Sequence, residues 1–288
     1  MAEKLRVGII GCGDLGTGLG RILVSEGHEV IGVRRSAEKL PDAFVKVAAD
    51  ITESSGFQAL PTELDAWVYA LAADDRSEEA YVRAYERGPQ RLAEHLAGRR
   101  TKTLFVSSTS VYEFEDGREV TEETPIEPIG MSGSTIRRGE KVIAGLGGAS
   151  LRLGGIYGAG RNWLVRAVRE GKASLKPGAP RYTNRIHRDD AVGLLHAMVV
   201  SRCENLPPVV LGVDSVSSPW NEVIGFLAEK LSVTLPEEGV GRAPSGSRRA
   251  TNKRCQSLHR DALGYTLKYP TYREGYTKVL QEMKLLSA

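Results

Sequence analysis

Apolar residues come in short, nearly unbroken runs over the first half of the chain. LRVGIIG (5–11), HEVIGVR (28–34), FVKVAA (44–49), AWVYALA (66–72), TLFVSS (103–108) and SLRLGGIY (150–157) are the clearest. Runs that stay apolar instead of alternating are what strands covered on both faces require. Between them the pattern turns helical. Leu15, Leu19, Ile22 and Leu23 make one face of a helix that Gly27 would stop. Residues 77–97 predict a long helix with a kink or break at Gly88-Pro89. Over 134–147, Val142, Ile143 and Leu146 form an apolar stripe that suits a core face. Strands alternating with helices imply right-handed βαβ units, hence an α/β fold with a Rossmann-type doubly wound parallel sheet.

Beyond residue 158 the pattern loosens. Asn162 stands where it would cap a short helix, NWLVRAVREG. RDDAVGLLHAMVV predicts a helix from Asp189 or Asp190, PPVVLGVD a buried strand, and SPWNEVIGFLAEKL (218–231) and about 271–286 two more helices. GKASLKPGAPRYTN and LPEEGVGRAPSGSRRATNKR read as loops. The expected layout is a nucleotide-binding domain over 1–158, with 184–214 returning to it. Residues 159–183 and 215–288 would form a small C-terminal α/β substrate lobe.

Composition narrows the class without naming a function. The 288 residues are 41% hydrophobic and 26% charged, ordinary for a globular protein. A net charge of +3 calls for no polyanion and would suit a small anionic ligand equally well. No apolar run approaches the ~20 residues of a membrane span. MAEKLRVGIIG leads straight into a strand pattern, so no signal peptide is expected. Cys12, Cys203 and Cys255 are odd in number and far apart. That argues against a disulfide framework or a metal site and points to a reducing cytoplasm. Arg248-Arg249, Lys253-Arg254 and Arg260 form a basic stretch without interleaved aromatics. A solvated surface loop is favoured there over nucleic-acid binding. A third option is that it folds back over an anionic substrate at a pocket mouth.

Gly11-Cys12-Gly13-Asp14-Leu15-Gly16 fits G-x-G-x-x-G between a buried strand and an amphipathic helix. Gly11 would make the tight turn, Gly13 would admit a pyrophosphate, and Gly16 would let helix and strand pack. The bland alternative is a strand-turn-helix with incidental glycines. The second strand ends in Val33-Arg34-Arg35-Ser36, with no carboxylate for a ribose 2′-hydroxyl. Arginine there accommodates a 2′-phosphate, so NADP is expected, with NAD possible. Two arginines could also be a merely solvated strand end.

These pieces resemble the extended and atypical short-chain dehydrogenase/reductases, the NAD-dependent epimerase/dehydratase-like family. The glycine loop, Ala70-Leu71-Ala72-Ala73, Ser107-Ser108-Thr109-Ser110-Val111-Tyr112, and Glu122, Pro125 and Pro128 carry the resemblance. So do Gly155-Ile156-Tyr157-Gly158-Ala159-Gly160-Arg161 and Asn184-Arg185-Ile186-His187-Arg188-Asp189-Asp190. The tail from NKRCQS through LGYTLKYPTYREGY is most similar to the YeeZ-type subgroup. The resemblance implies cofactor contacts from Asp14, Leu15, Asp50, Ile51, Ala70, Leu71, Ala72 and Ser107. It also implies that Ser108 bonds the substrate oxygen, and that the helices over 77–97 and 134–147 are candidates for a homodimer contact, which the apolar stripe of the second would equally suit.

The same family uses a tyrosine to move the proton and a lysine four residues later to lower its pKa. Aligned on Glu140, those places hold Ser132 and Ile136, and a one-residue slip restores neither. Arg137 could reach a ribose or phosphate, but a guanidinium does not shuttle protons. Tyr157, after the sixth strand, is a substitute if it faces the pocket, and Ser132 needs an activating neighbour. Tyr112 reads as a shaping residue, Lys141 as solvated, His187 as ordering its loop, and Cys12 as a small turn residue. Two functions stay open. One is an NADP-binding oxidoreductase or epimerase/dehydratase-like enzyme with a nonstandard proton donor, acting on a small sugar- or nucleotide-linked substrate. The other is a catalytically inactive NADP-binding sensor.

Overall fold

In the computed structural model, residues 3–201, 206–235 and 251–286 are described. The apolar runs become β1 (Arg6–Ile10), β2 (Glu29–Arg34), β3 (Val45–Ala48), β4 (Ala66–Tyr69) and β5 (Lys102–Ser108), with α1 (Asp14–Ser25) after β1. Between β4 and β5 runs one helical stretch. It is α2 (Glu78–Val82), a π turn (Arg83–Arg87) and α3 (Gly88–Leu96). After β5 come the short β6 (Glu119–Val120), α4 (Met131–Gly145), β7 (Ala149–Leu153), β8 (Gly155–Tyr157) and α5 (Trp163–Arg169). Then follow β9 (Tyr182–Thr183), β10 (Arg185–His187), α6 (Arg188–Val200), β11 (Val209–Gly212), β12 (Ser218–Pro219), α7 (Trp220–Leu231), β13 (Arg254–Cys255) and α8 (Tyr272–Glu282). Among the described residues, no helix is long and apolar enough to cross a membrane.

Seven strands form one sheet in the order β11-β7-β5-β4-β1-β2-β3, every pairing parallel. Side chains alternate between its two faces, as the pleat demands. Val7, Ile9, Val68 and Leu104 pack with Leu19 and Leu23 of α1 and Leu194 and Met198 of α6. Ile10, Trp67, Tyr69 and Phe105 pack on the other face with Leu92 and Leu96 of α3 and Ile136 and Ile143 of α4. The doubly wound sheet is thus covered on both faces. Ile143 and Leu146 of the predicted stripe belong to this core. A third apolar cluster joins α5, α7 and α8.

Several expectations shift in detail. β3 is the sheet edge and largely exposed, so its apolar run did not require cover on both faces. The kink falls on the π turn just before Gly88-Pro89. The Tyr69 hydroxyl presses there, donating to the Ala84 carbonyl at 2.6 Å, and a Cβ on Gly88 would collide with it. SLRLGGIY breaks at Gly154, because β8 leaves the main sheet to pair with β10. A Cβ at Gly154 would sit 3.0 Å from the Asn184 backbone. Asn162 occupies the N-cap of α5 but makes no side-chain cap. Its amide instead donates to Met283 Sδ at 3.2 Å. α6 starts at Arg188, and the buried His187 ring accepts the Asp189 N–H at 3.2 Å. His187 is therefore a helix cap, and burial lowers its pKa.

One buried ion pair ties three elements together. Arg152 of β7 donates to both Glu140 oxygens of α4, at 2.8 and 2.7 Å. Ser107 of β5 donates to the same carboxylate at 2.6 Å, and Arg137 at 3.0 Å. Arg152 also donates to the Tyr112 hydroxyl at 2.6 Å, which in turn donates to the Thr121 carbonyl at 2.9 Å. Both members of the ion pair are 2% exposed.

Breaking one side of a buried pair costs about 3–5 kcal/mol, because the other charge is left uncompensated. Arg152→Met should lose about that much in urea unfolding, and adding Glu140→Leu should recover part of it. Losses that simply add would show that the two charges are not coupled. Cys12 lies in the core under the glycine loop, and burial pushes its thiol up to about 11. Iodoacetamide at pH 8 should therefore spare Cys12 in the native protein and modify it on unfolding, as read by peptide mass mapping. Rapid native modification would contradict that burial.

Candidate functional site

The site begins at the turn between β1 and α1. Gly11 has φ of +69°, and a Cβ there would run into the Leu71 backbone. A glycine is needed on both counts. The Cys12 N–H donates to the Val33 carbonyl at 3.1 Å, which ties the loop to the end of β2. Gly13 faces open space, with only the Gly11 oxygen, 3.8 Å away, near where its Cβ would be. At Gly16 a Cβ would lie 2.8 Å from Ile9 Cγ2, so the missing side chain lets α1 pack on β1.

A cavity of about 530 Å³ opens above this turn. Its wall brings together Gly11, Gly13, Asp14 and Leu15 with Arg34, Arg35, Asp50 and Ile51. Ala70, Leu71 and Ala72 after β4 and Ser107 and Ser108 of β5 complete the predicted set; Gly16 alone packs behind it. The π turn adds Arg83, Ala84 and Tyr85. Arg35 is held by Asp74 through two hydrogen bonds, at 3.0 and 2.5 Å, and this pairing raises its pKa. Asp50 accepts the Thr52 N–H at 2.9 Å and its hydroxyl at 2.6 Å. Burial opposes its charge, but these donors outweigh it and hold the carboxyl low.

A second cavity, of about 760 Å³, adjoins the first, and Ser108, Gly154, Ile156 and Arg161 line both. Ser108 Oγ accepts the Ser110 N–H at 3.1 Å. Its own O–H remains to donate outward. Ser132 lines this second cavity from the first turn of α4. Glu113 lies beside it, its carboxylate accepting the Ile129 and Gly130 N–H groups at 3.0–3.1 Å. Those bonds satisfy backbone donors entering α4, which has no side-chain cap at Gly130. Ile136 is buried in the core, and Arg137 turns to Glu140, so neither brings a cation to this cavity.

Two expectations need correction. Tyr157 lines neither cavity. It packs against Tyr276 at 4.4 Å between ring centroids and against His187 at 5.4 Å, and a Cβ on Gly275 would strike its hydroxyl. Burial, first of all, drives its pKa up, so it is a core residue and a poor proton donor. Lys253 is not a solvated loop residue. It is 4% exposed and lines the second cavity. Its Nζ donates to the Tyr112 carbonyl at 2.7 Å and to Thr251 Oγ1 at 3.1 Å. β13 pairs in parallel with β6, and the Asn184 side chain bonds both the Lys253 carbonyl and the Cys255 N–H. Residues 253–255 are thereby stitched to the cavity wall. Arg260 donates to the Val213 carbonyl at 3.2 Å, while Arg248 and Arg249 lie outside the described residues.

Sequence reasoning did not single out Arg152 or Glu113, and took Arg161 and Asn184 only as landmarks. Arg152 had a readable sign: an arginine inside an apolar run needs a buried carboxylate partner. Lys253 had none, because a two-residue strand shows no periodicity.

No curated protein matches the chain. A solved structure from Methylobacillus flagellatus, described as an NAD-dependent epimerase/dehydratase, is 29% identical. The alignment covers 98% of this chain and 100% of that one, with a TM-score of 0.80. UDP-glucuronic acid 4-epimerase from Bacillus cereus, in complex with NAD, is 17% identical over 99% of both chains, with a TM-score of 0.74. UDP-glucose 4-epimerase from Thermotoga maritima, with UDP-glucose, is 16% identical over 97% of this chain and 99% of that one, with a TM-score of 0.80. The last two show the shared fold. Residues 6–176, more than half of the chain, match the RmlD substrate binding domain. The chain belongs to that family and has the fold of the atypical short-chain dehydrogenase/reductases.

Proposed function

We propose that this protein is an NADP-binding oxidoreductase or epimerase/dehydratase-like enzyme, acting on a small sugar- or nucleotide-linked substrate with a nonstandard proton donor. The observation that carries the reading is the meeting of two cavities at Ser108. The first has the walls a dinucleotide needs, and the second has room for a substrate beside it. The M. flagellatus relative is described as NAD-dependent, and the B. cereus structure holds NAD.

The lining of the first cavity suits a dinucleotide. A side chain at Gly13 would project into open cavity space, so the glycine leaves room for a ligand against the backbone. Arg34 and Arg35 line the adenosine end of that reading, and the end of β2 carries no carboxylate. That supports a 2′-phosphate and so NADP, with NAD as the weaker ligand. In this reading residues 1–158 and 184–214 hold the cofactor, and 159–183 with 215–288 complete the substrate side.

A bound nicotinamide supplies or takes the hydride. The chain's own residues do the rest. Ser108 donates its hydroxyl to the substrate oxygen and fixes its position. Ser132 stands where a tyrosine would be expected and offers only a weakly acidic hydroxyl. Lys253 lines the same cavity from a distant segment, and in this reading its ammonium turns to the substrate. A cation beside the reacting oxygen stabilises negative charge there and is a proton source.

Two outcomes are expected. A charged hydrogen bond is worth roughly 1.5–3 kcal/mol, so Arg34→Ala should weaken NADPH about 10- to 100-fold and NADH far less. Nicotinamide fluorescence titration reads both; equal curves for the two nucleotides on the wild type would rule out the NADP preference. The loaded protein should also oxidise NADPH against a panel of carbonyl compounds and nucleotide sugars, with a loss of about 100-fold or more in Ser108→Ala. Tight NADPH binding without turnover on any compound would favour the inactive sensor instead.

A further inference from the structure

Arg161 stands at a place that the chemistry above leaves unused. It follows the Gly158–Gly160 turn after β8 and lines both cavities. Its Nε donates to Asp14 Oδ2 at 2.6 Å. Asp14 is the first residue of α1 and also lines the first cavity. Its other oxygen accepts Arg188 Nε at 2.5 Å. Arg188 belongs to α6, also bonds Asp189 at 3.1 Å, and lines neither cavity. One arginine of the pair therefore faces ligand space, and the other packs across the back of α1.

The charge pattern is unusual for a phosphate site. The N-terminus of α1 offers free N–H groups and a partial positive charge, which attract an anion. A carboxylate already stands there. Burial opposes its charge, but the hydrogen bonds from Arg161 and Arg188 outweigh that and keep it ionised. A dinucleotide entering the first cavity would bring its pyrophosphate to the same helix end. Two anions would then compete for the guanidinium that faces the cavity.

We propose that Arg161 is a pyrophosphate-binding residue of the cofactor site, held in place by Asp14 in the free protein and shared with the phosphates when the dinucleotide binds. The proposal rests on the cofactor reading given above. It makes Asp14 an internal competitor whose removal tightens binding, although it sits on the cofactor wall. It also gives the loop over 158–161 a direct contact with bound cofactor at the border of the substrate cavity.

The test is NADPH affinity by fluorescence titration, with melting temperature followed alongside. Arg161→Met should weaken NADPH about tenfold, and Asp14→Asn should tighten it about threefold or more. Arg161→Lys keeps the charge but not the planar fork, so it should bind NADPH more tightly than Arg161→Met and less tightly than the wild type. Arg188→Met should lower the melting temperature with less than about a twofold change in affinity. Opposite signs for Arg161→Met and Asp14→Asn support the proposal. Losses of the same sign and size would mean that the pair only braces the fold, and would overturn it while leaving the cofactor reading intact. A wild type that binds neither NADPH nor NADH overturns the cofactor reading and this proposal with it.

Discussion

The Glu140 carboxylate sits where three elements meet. It takes two hydrogen bonds from Arg152 of β7 and one from Ser107 of β5, and it projects from the middle of α4. A carboxylate this deeply buried is tolerable only when its charge is matched and its lone pairs are filled. Satisfying it fixes how α4 lies across β5 and β7. That in turn places Ser132, on the first turn of α4, in the same cavity as Ser108 at the end of β5. The network extends through Arg152 to the Tyr112 hydroxyl, and the Tyr112 carbonyl accepts Lys253. One ion pair therefore helps to set where Ser132 lies relative to Ser108, and through Tyr112 it adjoins the bond that Lys253 makes.

This separates scaffold from chemistry. α4 carries the buried Glu140 carboxylate, and the resemblance would put a proton-moving tyrosine and lysine on this helix. In the proposed function, Ser132 and the buried Ile136 stand at the places where the resemblance leads one to expect that pair. Arg161 and Lys253, both from outside this helix, line the second cavity.

Much of this was legible in the sequence because it is local. Buried strands are short and apolar, the glycine loop is contiguous, and Arg34 follows its strand directly. These patterns located the sheet and the wall of the first cavity. The second cavity was harder because its parts come from distant segments. Lys253 looked like a member of a basic loop, and only β13 pairing with β6 and the Asn184 bonds draw it inward. Tyr157 misled in the opposite way. Its place after a strand suggested a pocket mouth, yet β8 turns it into the cluster with Tyr276. The Asp14–Arg161 contact spans 147 positions of sequence, and no periodicity encodes it.

A crystal structure of the protein with NADPH bound would test the central claim most directly. The expected density puts the 2′-phosphate on Arg34 and the pyrophosphate over the turn at Gly13. The nicotinamide ring would then lie beside Ser108, where the two cavities join, with Lys253 on the wall of the space left for substrate. A nicotinamide turned away from Ser108, or an adenosine half seated in the second cavity, would contradict it.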